Sequence, residues 1–211
     1  MTHRVIRQHE RIFLHHSNTA LPMKNYTHKI KDELFTIAVF VAFIWGIFFL
    51  DQFLPIEKLG LIPRSFGGLT GIISMPFLHG NLSHLMGNTL PLLILLALLA
   101  GSRADSKSIV SLIIVLGGIL LWLFGRGDSI HIGASLLVFG LVSFLIVSGL
   151  IEKRILPLTM SILVAFIYGG TLLSGVLPWQ PGVSWDGHLF GAIAGALVAY
   201  GLVKRSDTPR R

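Results

Sequence analysis

Cysteine is missing from all 211 residues. Its absence removes disulfide bridges and thiolate metal sites from any account of the chain. Charge is scarce as well: Asp, Glu, Lys and Arg make up 13% of the sequence, against about a quarter of an ordinary soluble domain. With 53% of its residues hydrophobic, such a chain reads as an integral membrane protein and not as a soluble one. Acidic residues are the rarest charged group, 10 against 17 basic ones, which leaves a formal charge of +7. That balance does not point to nucleic acid, because the basic residues flank apolar segments, where they record membrane orientation. A cleavable signal peptide is also not expected. The first 30 residues are polar and basic, with His3, His9, His15, His16 and His28 among them, a charged stretch too long to precede a signal-type apolar core.

Long apolar runs are what the chain does have. About 20 residues are needed to cross a bilayer as a helix, and six runs approach that length: Leu34 to Leu50, Leu82 to Gly101, Ile109 to Gly125, Ile132 to Ile151, Leu156 to Val176, and Gly187 to Val203. The expected fold is therefore an all-α polytopic membrane protein, a six-transmembrane-helix bundle over residues 34–203. A loosely ordered basic arm (1–33) would precede it and a short basic tail (204–211) follow it.

Basic residues also set the orientation. The arm, the second and fourth connections and the tail hold Arg4, Arg7, Arg11, Lys24, Lys29, Lys31, Arg103, Lys107, Lys153, Arg154, Lys204, Arg205, Arg210 and Arg211. The other connections hold only Lys58, Arg64 and Arg126. Since positive residues stay on the cytoplasmic side, both termini are expected there, and a bacterial inner membrane suits such a chain. The long first connection, Asp51 to His79, then lies outside. Its Pro55, Pro63, Gly67, Gly68, Gly71 and Pro76 argue against a regular helix, and its Leu59, Leu61, Ile62, Phe66 and Leu69 suggest that it rests in the outer interface.

Polar residues in apolar spans are costly and mark function more often than chance. Here they gather at the starts of the second, fourth and sixth spans. FLHGNLSHLMGNTLP carries His79, His84 and Asn88; His84 and Asn88, four apart, share one helical face. HIGASLLVFG carries Ser135. WDGHLFGAIAG carries His188, Gly191 and Gly195 on one face, and its G-x-x-x-G pair lets another helix approach to backbone contact. All three starts face the outer leaflet in the expected orientation. A serine hydroxyl is a poor nucleophile until a neighbouring base takes its proton, and His188 is placed to be that base. His84, Asn88 and the N–H of Ser135 at a helix start are candidate donors to a developing oxyanion. No acidic residue is well placed for a triad, since Asp186 lies only two residues before His188 and suits a helix cap, so a dyad is expected. His79, His84, His131 and His188 also invite a haem or metal reading, but acidic and sulfur co-ligands are lacking, and Asn88 and the glycines would have no part in it. No metal or cofactor is expected, and His131 reads as a loop residue near the interface. The other span serines and the four tryptophans suit packing, back-bonding and interfacial belts.

These motifs, G-x-S in the fourth span, H-x-x-x-x-H-x-x-x-N at the second and H-x-x-G-x-x-x-G in the sixth, resemble those of the rhomboid intramembrane serine proteases. The resemblance runs from about Pro63 to Val203. It implies that Ser135 is the nucleophile and His188 its base, with His84 and Asn88 stabilising the oxyanion. His79 would be a structural histidine tying the first connection to the second helix, Phe139 would pack on the catalytic imidazole, and Gly133, Gly191 and Gly195 would be structural residues near the site. It further implies a partner that is the transmembrane helix of another protein, cleaved near its outer end and admitted past the fifth helix. One position departs from the family pattern G-x-S-G: Leu136 follows the serine. Its isobutyl group would narrow the pocket, displace the hydroxyl or be absorbed by small neighbours. The first two outcomes would leave a weak or inactive protein that binds transmembrane helices.

Overall fold

The computed structural model describes residues 23–103, 105–179 and 182–206, with side chains over 31–203. The arm through residue 22 and the tail from residue 207 lie outside the described residues. Six helices are long and apolar enough to cross a membrane: α1 (Met23–Asp51), α2 (Leu82–Ser102), α3 (Ser106–Phe124), α4 (Ser135–Glu152), α5 (Ile155–Gly175) and α6 (Trp185–Ser206). A helix satisfies its own backbone polar groups, which is what hydrocarbon demands of a spanning segment. The chain is a multi-pass integral membrane protein, and the described residues contain no strand beyond an isolated bridge between Leu61 and His131.

Several boundaries differ from the apolar runs, and three of them bear on the site or the arm. Helix α1 reaches back to Met23, well before the first run at Leu34. Helix α4 starts at Ser135 instead of Ile132, because Gly133 takes φ +116°, a left-handed conformation that ends helical continuity and favours glycine. Helix α6 begins at Trp185, which puts Asp186 inside its first turn and not at a cap.

Helix α4 is the centre of the bundle: 61% of its apolar window is buried, against 11% for α5. Apolar residues surround it on all sides, as a core helix requires. Its closest neighbour is α6. A Cβ at Gly191 would collide with the Leu136 backbone and one at Gly195 with the Gly140 backbone, so the two helices touch main chain to main chain along that seam. Helix α5, by contrast, leaves Ile155, Leu156, Ile162, Phe166 and Leu173 open to lipid.

The first connection is built from short pieces: 3-10 turns at Ile56–Leu59, Phe66–Thr70 and Met75–Phe77 and a single α-turn at Gly71–Ser74. Phe53, Leu54, Phe66 and Leu69 face outward, a surface suited to the membrane interface. Leu61 and Met75 turn inward and join Leu121 and Leu136 in a second buried cluster, with Ile72, Trp122 and Phe190 at its edge. Trp122 Nε1 donates to the Ser65 carbonyl at 2.9 Å, so a tryptophan from α3 secures the same connection.

Candidate active site

Asn81 fixes where α2 begins. Its extended backbone and side-chain oxygen, which accepts from the His84 N–H at 2.8 Å, make it the N-cap. His84 therefore sits in the first turn, and Asn88 follows one turn later with its Nδ2 donating to the His84 carbonyl at 3.1 Å. One N–H of that amide is used in this way and the other is left over. His79 lies before the helix, in the loop after the Met75–Phe77 turn, instead of at the start of the span.

His79 is 1% exposed, and its Nε2 accepts from the Ala134 N–H at 3.4 Å. Its ring meets that of His84 edge to face, with centroids 5.0 Å apart. It thus touches both the start of α2 and the turn before α4. Burial first, then the neighbouring His84, pushes it down to about 4 from 6.5, against an opposing pull from the Phe77 carbonyl. At neutral pH its ring is uncharged, as an acceptor to a backbone N–H must be.

The turn before α4 is held from two sides. Gly133 N–H donates to the Met75 carbonyl at 2.9 Å. A Cβ on Gly133 would lie 2.5 Å from His84 Nε2 and 3.7 Å from Asn88 Nδ2, so only a glycine lets this backbone rest against that imidazole. Ser135 comes two residues later as the first residue of α4. Ala134 is the N-cap and carries no side-chain cap bond, so the serine hydroxyl is not occupied in capping. The first N–H groups of α4 have no intrahelical acceptor.

His188 comes from the first turn of α6. Its ring stacks on Phe139 with centroids 4.0 Å apart and planes 10° from parallel. Ser135 and Phe139 are four apart and so share one face of α4, which places the imidazole on the serine's side of that helix. Nδ1 of His188 is 2.9 Å from the Gly175 carbonyl. A carbonyl only accepts, so Nδ1 carries the proton and Nε2 carries the lone pair. Among the described residues no hydrogen bond yet joins Nε2 to the Ser135 hydroxyl, a separation common in free enzymes. The Gly175 contact was not legible in the sequence. A Cβ at Gly175 would lie 2.7 Å from Phe139 Cε1 and 3.3 Å from His188 Nδ1, so the end of α5 needs glycine to reach the pair.

Asp186, His131 and Leu136 each take a definite place here. Asp186, expected as a cap, is instead 2% exposed and bonded to Arg126 of the α3–α4 loop. The carboxylate turns to the guanidinium because that pairing satisfies both of its oxygens. His131 lies in the α3–α4 loop and is 2% exposed, bridged to Leu61 and bonded to Ser184. Burial lowers its pKa more strongly than Asp186 and the Arg126 carbonyl raise it. Leu136 does not enter the space around Ser135 and His188. Its side chain is 1% exposed and lies against Gly117 of α3, where a Cβ would meet its Cδ2 at 2.8 Å. Of the three outcomes open to it, absorption by a small neighbour is the one found.

Known families and proteins match most of the chain. The rhomboid domain model matches residues 67–205. An uncharacterized protein of Mycobacterium tuberculosis is 42% identical over 176 residues, covering 78% of this chain and 73% of its own length. An uncharacterized protein of Mycobacterium leprae is 36% identical over 201 residues, covering 85% and 79%.

Proposed function

Because the chain belongs to the rhomboid family, whose members are intramembrane proteases, we propose that it is a serine endopeptidase cutting transmembrane helices of other proteins. The observation that carries this reading is the state of His188: its Nδ1–H is committed to the Gly175 carbonyl, and its free Nε2 lies on the serine's face of α4. Ser135 gives its hydroxyl proton to that nitrogen as Oγ attacks the scissile carbonyl. The backbone carbonyl of Gly175 does the orienting that an aspartate does in a triad, which suits a chain with no acid at that place. It also stabilises the imidazolium that forms.

The tetrahedral oxyanion collects its donors from the ring N–H of His84, the remaining N–H of Asn88 and the first-turn N–H groups of α4. Loss of one such donor commonly raises a barrier by about 2.7–4 kcal/mol. The imidazolium then protonates the leaving amine, and water from the outer side hydrolyses the acyl-enzyme by the reverse use of the same groups. The basic residues at the opposite ends of the helices support a topology with both termini in the cytoplasm and this site in the outer leaflet. A bacterial inner membrane accommodates that topology. No step calls for a metal or cofactor.

The reading of a helix-binding protein without chemistry depended on Leu136 obstructing the serine, and the burial of its side chain against Gly117 favours the active form. The test is incubation of the detergent-purified protein with a model single-span substrate. Cleavage by the wild type and its loss in both Ser135→Ala and His188→Ala is the expected result. Cleavage that survives Ser135→Ala would refute the assignment.

A further inference from the structure

Asp186 is a nearly buried carboxylate that the reaction above leaves unused. Three nitrogens of Arg126 reach it: the backbone N–H at 2.9 Å from Oδ2, Nε at 3.3 Å from Oδ2, and a terminal guanidinium nitrogen at 3.2 Å from Oδ1. The same guanidinium donates to the Val183 carbonyl at 3.3 Å and lies over the Trp185 ring at 5.5 Å. Arg126 therefore grips the start of α6 and the turn before it, at Val183, Trp185 and Asp186.

A second link runs alongside. His131 Nε2 is 3.3 Å from the Arg126 carbonyl, and its Nδ1 is 2.6 Å from Ser184 Oγ. Since the carbonyl accepts, Nε2 holds the proton and Nδ1 accepts the serine's hydrogen, so neither ring nitrogen is unpaired. The His131 backbone in turn exchanges two hydrogen bonds with Leu61, at 2.8 and 2.9 Å. First connection, α3–α4 loop and α6 start are thereby fastened together at one point.

The position of that point in the chain gives it a use. His131 is four residues before Ser135, and Asp186 is two residues before His188. Buried ion pairs are weak stabilisers, often no better than apolar residues of the same shape, because desolvation offsets their attraction. What a bidentate, fully bonded pair does provide is fixed geometry. We propose that Asp186, held by Arg126 and flanked by His131 and Ser184, is a positioning residue that sets the start of α6 against the start of α4 and so aims His188 at Ser135. This rests on the hydrolase reading.

The test uses the full chain in detergent and a fluorophosphonate probe, with kinact and KI measured separately and thermal unfolding followed on the same samples. For folded Asp186→Asn and Arg126→Gln, kinact is expected to fall on the order of tenfold to a hundredfold, the loss that a misplacement of about 1 Å produces. KI should stay within about twofold, because the probe pocket is untouched. The Arg126→Gln, Asp186→Asn double variant should recover at least about threefold over either single one, since it leaves no unpaired charge. Ser184→Ala keeps the ion pair and cuts the His131 link together with the 3.4 Å contact of Ser184 to Asp186; it carries the test if the charge variants do not fold, with an expected loss in kinact of about threefold or more. Wild-type kinact in a folded Asp186→Asn, or in Ser184→Ala where that variant does not fold, overturns the inference. So does a loss that merely follows the folded fraction. A wild type that is not labelled, or labelling that survives Ser135→Ala, overturns the hydrolase reading and this inference with it.

Discussion

Leu136 shows how much depends on where a side chain points. Read along the chain it crowds the serine beside it; in three dimensions it fills the notch left by Gly117, between Leu61, Met75 and Leu121. Leu136→Ala is therefore expected to lower stability by about 2–5 kcal/mol, the usual range for emptying a buried leucine site. Turnover per folded molecule should not rise, and detergent unfolding beside substrate cleavage reads both. His79 allows a second expectation at this scale. Its pKa is about 4 in the folded chain against 6.5 as the reference, so between those values the unfolded chain binds more protons. Its contribution to stability is complete above about pH 6.5 and is lost as pH falls toward 4, by about 3 kcal/mol in all at 1.36 kcal/mol per unit. Unfolding midpoints measured across that window should fall with pH, and the slope should lessen in His79→Gln.

Between elements, the seam of α4 and α6 decides whether the site exists. At Gly195 a side chain would enter the Gly140 backbone itself, so Gly195→Leu is expected to separate the helices. Loss of Ser135-dependent probe labelling, with helical content kept, would report it. Gly175→Ala is milder, since it presses on Phe139 and His188 without disturbing the seam. Its cleavage rate should drop on the order of tenfold with little change in unfolding. The six spans and the three polar helix starts could be read from the sequence because hydrocarbon tolerates few polar residues, and each one stands out. The G-x-x-x-G pair in α6 was legible for the same reason: it is a local pattern. The role of the Gly175 carbonyl was not, since every residue has a carbonyl and only the fold says where it points. Arg126, His131 and Asp186 were hidden differently. Their pairing joins segments about 60 residues apart, and the closeness of Asp186 to a helix start suggested a cap.

Across the whole molecule, the two faces of the membrane are tied by different means. At the end that carries Ser135 and His188 a buried cluster and the Arg126–Asp186 pair bind the first connection to α3, α4 and α6. On the other side Arg103 pairs with Glu152 and lies over Phe144, while Ser106 donates to Glu33 at 2.8 Å. The absence of cysteine makes the orientation easy to test. Single cysteines at the exposed Asp128 and Arg154 lie at opposite ends of the bundle. In intact cells, Asp128→Cys is expected to react with an impermeant maleimide and Arg154→Cys only after the membrane is opened; the reverse pattern would invert the topology.

Helix α5 has one more consequence. It is the span least embedded among its neighbours, yet its last residue accepts the Nδ1–H of His188. On the hydrolase reading proposed above, a guest wedged against that span would slacken the tether on the base, so docking and bond breaking would share a hinge. The fastest turnover then belongs to substrates slim enough to slip by and let the tether draw tight again.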